Sequence, residues 1–213
     1  MLWNYLLIAG ASYLAGSIQF GLIVGRRARG VDIRDFGSGK TGFTNSLRTL
    51  GPGLSFLVLA GDFLKGALPV LVVAVLLHNP GLEVMAATAA VLGHVWPVFA
   101  GFKGGRGVST AFGATMAMMP PVGLILLVIS IALVVLYRYM SLTSLVGTPT
   151  GAVLVWALVL GGHEPRVYGI WALIAATIIL TSHRENLRRL RNGTEPKIGQ
   201  GGQRRTSPGN ASP

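Results

Sequence analysis

Residues 37–48 read GSGKTGFTNSLR, with three glycines set among Ser38, Lys40, Thr41 and Thr44. Such a run can hold a phosphate. Gly37, Gly39 and Gly42 let backbone N–H groups converge, the hydroxyls add donors, and Lys40 and Arg48 add positive charge. If TNSLR opens a helix, its free N–H groups favour an anion as well. Gly39-Lys40-Thr41 imitates the end of a nucleotide-binding P-loop, but that pattern wants glycine where the chain has Arg34, and a strand before it. ATP binding is therefore not expected. The alternative is an ordinary Gly-rich turn carrying topology-setting charges.

Further runs have comparable character. FKGGRG (102–107) offers Lys103, Gly104, Gly105, Arg106 and Gly107, a second anion cradle or a juxtamembrane basic turn. SHRENLRRL (182–190) brings His183, Arg184, Glu185 and Asn186 together, with Arg188 and Arg189 expected to face lipid headgroups. Asp62 and Lys65 stand three apart in an apolar run, so they share a helix face and can neutralise each other. His94, in GHVWPVF, is either a proton-handling group or a packed histidine. The His-x4-Asp pair of many glycerolipid acyltransferases is absent: five residues after His94 stands Phe99, and His78-x4-Glu83 has the wrong acid. No Ser-His-Asp order or metal-ligand cluster is readable.

The elements that must position these groups are membrane helices. The chain is 51% hydrophobic and 12% charged, against about 25% charged in a soluble domain. It has no cysteine, which excludes disulfides and thiolate metal sites. Apolar runs at about 3–25, 51–77, 84–101, 108–119, 122–137, 143–161 and 167–182 are span candidates. The N-terminus is not a cleavable signal: its apolar run precedes the basic cluster Arg26, Arg27, Arg29 rather than following one. The weakest span, VSTAFGATMAMM, is short, yet removing it would put the seven basic residues of the tail outside. The positive-inside tendency therefore favours seven spans, N-terminus outside and C-terminus cytoplasmic.

The expected fold is an all-α polytopic membrane protein, with one transmembrane domain over 1–198 and a Gly/Ser/Pro-rich disordered tail over 199–213. Every basic Gly-rich stretch then opens to one face. The net charge of +11 falls at membrane edges, which points to the bilayer and anionic substrates rather than nucleic acid or nucleotide.

At these motifs the sequence resembles the bacterial acyl-phosphate:glycerol-3-phosphate acyltransferases, the PlsY family. The matching blocks are VDIRDFGSGKTGFTNSLR, DFLKG, VLGHVWPVFAGFKGGRGVST, RYMSLTSLVG and HRENLRRL. The family pattern would put Asn at Lys40, Ala at Phe43, Lys at Arg106 and usually Pro at Gln19. The resemblance implies seven spans and transfer of a fatty acyl group from acyl phosphate to the 1-hydroxyl of glycerol 3-phosphate, with no cofactor or metal. It implies a multi-pass protein of the bacterial cell membrane with a cytoplasm-facing site. By position, Gly37, Ser38, Gly39, Thr44 and Asn45 match the loop that holds the donor phosphate. Arg48, Arg106, Ser144, His183 and Asn186 match the surroundings of glycerol 3-phosphate; Lys103, Gly104, Gly105 and His94 support them. Ser38, His183 and Asn186 are the expected catalytic residues. The rival classes are an organic-phosphate transporter or channel and a non-catalytic lipid-binding protein.

Overall fold

A computed structural model describes residues 2–205, and they are almost entirely helical. The apolar runs become α1 (Leu2–Ser17), α2 (Phe20–Arg29), α4 (Pro52–Leu77), α5 (Pro80–Val95), α6 (Val108–Met118), α7 (Pro120–Tyr137), α8 (Met140–Leu160) and α9 (Arg166–Ser182). Two short amphipathic helices, α3 (Phe43–Leu50) and α10 (Arg184–Arg191), carry the polar motifs. Proline opens α4, α5 and α7 at the first helical position, where its missing N–H costs nothing. Asn79 caps α5 by accepting from the Leu82 N–H at 3.1 Å.

Among the described residues, five segments are long and apolar enough to cross a membrane: Trp3–Arg29, Pro52–Leu77, Pro80–Ala100, Pro120–Tyr137 and Met140–Leu160. A sixth is α9 taken with α10, bent by 55° at their junction. The run expected as the weakest span is the 11-residue α6. The first span is longer than the 3–25 expected and is broken at Ile18–Gln19. Gln19 is buried there, and its amide reaches the His94 carbonyl at 3.4 Å.

The buried core is built mainly from α4, α5, α6, α8 and α9. Helix α4 lies against α6 so closely that a Cβ at Gly66 would meet the Thr110 carbonyl, and one at Gly113 the Phe63 carbonyl. Helix α7 stands at the rim: Leu124, Val128, Ile131, Val135 and Leu136 are all exposed. An apolar face of that size is the mark of a helix solvated by lipid.

The tail departs from expectation. Residues 199–205 belong to the segment expected to be disordered, and they run back across the loop at 35–37. The Gly37 N–H donates to the Gln203 carbonyl at 3.0 Å and the Arg205 N–H to the Asp35 carbonyl at 2.7 Å. Phe36 and Arg204 form an isolated antiparallel bridge. The loop offers unpaired backbone groups, and a glycine-rich chain can follow it closely enough to satisfy them. The rest of the expected tail, 206–213, lies outside the described residues.

Candidate active site

The loop before α3 is preceded by a single 3-10 turn at Ile33–Asp35 rather than a strand. Arg34, where a P-loop would need glycine, donates to Asp32 at 2.8 Å and to the Ala100 carbonyl at 3.1 Å. It thus ties this loop to the one entering FKGGRG. Asn45 staples the loop from inside. Its amide nitrogen donates to the Ile33 and Lys40 carbonyls at 2.8 and 2.9 Å, and its Oδ1 accepts from the Ser38 N–H at 2.9 Å.

Several backbone donors of the expected cradle already have partners within the chain. The N–H groups of Gly37, Ser38 and Gly39 are spent on the Gln203 carbonyl, Asn45 and the Phe36 carbonyl respectively. Gly37 and Gly39 are required instead by the turn, with φ of 50° and 68°. A Cβ on Gly39 would also strike the Arg205 guanidinium. The donors that remain include Ser38 Oγ, the Lys40 ammonium and the first turn of α3, whose N-cap Gly42 supplies no side-chain bond.

In the second run the two central glycines pack against His94. Gly104 and Gly105 are buried against His94: a Cβ on Gly104 would meet its carbonyl and one on Gly105 its ring. The Gly105 N–H donates to the His94 carbonyl at 3.1 Å. His94 is itself buried, with Nδ1 at 3.5 Å from Asp62 Oδ1, which pairs with Lys65 at 2.8 Å. The Asp62–Lys65 pair is therefore real, and it extends to His94 and so to the loop carrying Arg106. Lys103 is exposed.

Ser38, Thr44, Asn45, His94, Arg106, Ser144, His183 and Asn186 line one cavity of about 510 Å³. Of the expected residues, Gly37, Gly39, Arg48, Lys103, Gly104 and Gly105 are not on its wall. Arg48 donates to the Pro196 carbonyl at 3.1 Å beside it. The cavity is polar at the end formed by α3, the 96–107 loop and α10, and apolar along α6, α7, α8 and α9.

Ser38 Oγ, Arg106 Nε, Ser141 Oγ and Asn186 Oδ1 at that end are buried and have no hydrogen-bond partner among the described residues. Burial, then the nearby Arg189, pulls Arg106 down to about 10, which leaves it charged at neutral pH. His183 Nδ1 sits 2.8 Å from the Ile179 carbonyl, so it carries the proton and Nε2 keeps its lone pair. Burial, then Arg106, pulls His183 down to about 4. It is a neutral acceptor at pH 7, too weak a base to deprotonate an alcohol by itself.

Glu195 also lines the cavity, and the sequence reading passes over it. It is buried, and it accepts from Asn186 Nδ2 and from Arg189 Nε, each at 2.7 Å. Burial raises its carboxyl, but these bonds outweigh burial and hold it below the ordinary value. Arg189, expected to face lipid, is thus part of the site's frame. The available signal for Glu195 was scarcity: the chain has only 7 acids against 18 basic residues.

The family model described as glycerol-3-phosphate acyltransferase matches residues 6–193. The glycerol-3-phosphate acyltransferase of Parasynechococcus marenigrum is 42% identical over 92% of this chain and 90% of its own length. That of Rubrobacter xylanophilus is 41% identical over 88% and 92%. Among solved structures, the glycerol 3-phosphate form of PlsY (YgiH), an integral membrane glycerol 3-phosphate acyltransferase, aligns with a TM-score of 0.84 at 37% identity, covering 92% of this chain and 96% of that one. Its lysophosphatidic acid form aligns with a TM-score of 0.81 at 36% identity. The fold is thus shared with these structures, and the chain belongs to the glycerol-3-phosphate acyltransferase family.

Proposed function

We propose that this protein transfers a fatty acyl group from acyl phosphate to the 1-hydroxyl of sn-glycerol 3-phosphate. The products are 1-acylglycerol 3-phosphate and inorganic phosphate. The observation that carries this reading is the two-ended cavity. Unpartnered Ser38 Oγ, Arg106 Nε and Asn186 Oδ1 gather at its head, and its body is apolar. One substrate of this reaction is a small anion, and the other joins an anion to a hydrocarbon chain.

In this reading Ser38 Oγ, Thr44 and the first N–H groups of α3 hold the donor phosphate. Arg106, with Arg48 and Ser144 nearby, holds glycerol 3-phosphate. The single O–H of the 1-hydroxyl donates to Asn186 Oδ1 in the bound state, beside the His183 Nε2 lone pair, which aims its oxygen at the acyl carbon; as the ester forms, that proton transfers to an oxygen of the donor phosphate. The hydroxyl oxygen forms the ester bond, the bond between acyl carbon and phosphate oxygen breaks, and the hydroxyl proton leaves with the phosphate. The mixed anhydride is already activated, so no acyl-enzyme, nucleotide, metal or cofactor is needed. Positioning and charge stabilisation supply the rate.

The same reading puts the protein in the bacterial cell membrane with seven crossings, α6 being the shortened one, and the site facing the cytoplasm. Its support is the charge distribution. Cysteines at Arg27 and Asn192 should be shielded from an impermeant thiol reagent added outside, and one at His163 should react; the reverse pattern refutes the orientation. The activity test is purified protein with acyl phosphate and labelled glycerol 3-phosphate, with acyl-CoA and acyl carrier protein donors as controls. Product from acyl phosphate alone is expected, and strict dependence on acyl-CoA overturns the donor assignment. A transporter would move labelled glycerol phosphate into vesicles without any donor. The apolar outer end of the cavity argues against that path.

A further inference from the structure

The apolar body of the cavity ends at one level. The outermost wall residue on each of four helices is Thr115 on α6, Leu126 on α7, Val155 on α8 and Trp171 on α9. Between that level and the polar head, α8 and α9 contribute small residues, among them Gly151, Ala152, Ala175 and Ala176, while α6 and α7 contribute Phe112, Leu127 and Ile131. Below that level Met118, Val122, Val159 and Tyr168 are packed core. The passage is widened on its α8 and α9 side by these small residues, and an indole stands at its end.

Trp171 is 1% exposed, and its Nε1–H donates to Thr115 Oγ1 at 3.1 Å. A buried indole with its one polar atom bonded has a fixed ring position. Its own helix is held three residues earlier, where the Tyr168 hydroxyl donates to Glu83 Oε2 at 2.6 Å. The floor is therefore rigid on the side where a longer chain would press.

We infer that Trp171, locked by Thr115, is the stop that sets the longest acyl chain this protein accepts efficiently. This rests on the acyl-transfer reading above. Trp171 stands twelve residues before His183 on α9, about 18 Å at about 1.5 Å per residue. Val155 stands eleven residues after Ser144 on α8, about 16 Å on the same measure. An all-staggered hydrocarbon chain advances about 1.25 Å per carbon. A chain of about 14–16 carbons reaches the indole when its carbonyl lies between Ser38 and His183. Each methylene left out of the apolar passage weakens binding about fourfold.

The test compares kcat/KM for acyl phosphates of 12 to 20 carbons in wild type, Trp171→Ala and Ala176→Phe. Ala176 lies partway along the passage, so a phenyl ring there should move the optimum to shorter chains. The wild type should fall steeply beyond about 16 carbons. Trp171→Ala should raise the 18- and 20-carbon donors at least tenfold relative to 14 carbons, with KM for glycerol 3-phosphate unchanged. If Trp171→Ala fails to fold, the shift to shorter chains in Ala176→Phe decides the matter. Either variant folded, active and with the wild-type length profile overturns the stop, because the chain must then leave sideways into lipid. No turnover by wild type with any chain length would instead overturn the acyl-transfer reading itself.

Discussion

The amide nitrogen of Asn186 is bonded to Glu195 at 2.7 Å, and this decides which end of Asn186 faces the cavity. An ionised carboxylate only accepts, so the nitrogen must point to it and Oδ1 to the cavity. Glutamine at 195 can donate as well as accept, and it frees the amide to flip. Glu195→Gln should lower kcat at least tenfold with a small change in KM, since hydrogen bonds to charged groups contribute about 1.5–3 kcal/mol. Wild-type kcat in a folded Glu195→Gln protein would mean that the orientation is set elsewhere.

His183 predicts the acid limb. Its folded value of about 4 lies below the ordinary 6.5, so the unfolded chain takes up the proton first as pH falls. The stability tied to its neutral form is complete above about 6.5 and is lost as pH falls toward 4, up to about 3 kcal/mol. Glu195, also held below its ordinary value, acts in the same direction. Activity should be flat between pH 6 and 8, and the thermal midpoint in detergent should fall from pH 6.5 to 4.5. His183→Asn should flatten that fall. A rate that titrates near pH 6.5 would instead identify a general base.

Lys40 is the residue that makes the loop look like a P-loop; it lines the cavity but stays largely in contact with solvent. Lys40→Asn should keep most activity, because a solvated charge near a helix terminus is worth about 0.3–1 kcal/mol. Ser38→Ala should lose about 10²–10³ in rate, the cost of one aimed donor. Initial rates at saturating acyl phosphate compare the two. An inactive Lys40→Asn beside a near-normal Ser38→Ala would reopen nucleotide binding.

The segment over the loop predicts a result that depends on where the chain is cut. Ending it after Gln200 removes the partners of Gly37 and Asp35, while ending it after Arg205 keeps them. The first truncation should raise KM for acyl phosphate several-fold, because the turn carrying Ser38 loses two backbone bonds of about 1 kcal/mol each. The second should leave KM unchanged. Equal values for both truncations would show that the segment does not brace the loop.

The helical membrane fold, most of the span candidates, the polar motifs and the family likeness were legible in the sequence because each is local. A membrane helix is written in some twenty consecutive apolar residues, and GSGKTGFTNSLR, FKGGRG and HREN each show their chemistry within a few positions. The Asp62–Lys65 pair was legible for the same reason, through helical spacing. What a group does after its neighbours arrive is not local. Gly37 and Gly39 looked like phosphate donors until Gln203 and Phe36 took their N–H groups. Gly104 and Gly105 looked like a cradle until His94 filled the space beside them. Glu195 carried no motif, and only the return of the chain past α10 put it against Asn186 and Arg189. Each buried polar group takes the partner that the fold brings within about 3 Å, and sequence distance does not encode that proximity. Residue types therefore named the chemistry, while tertiary packing decided which atoms stayed free to perform it.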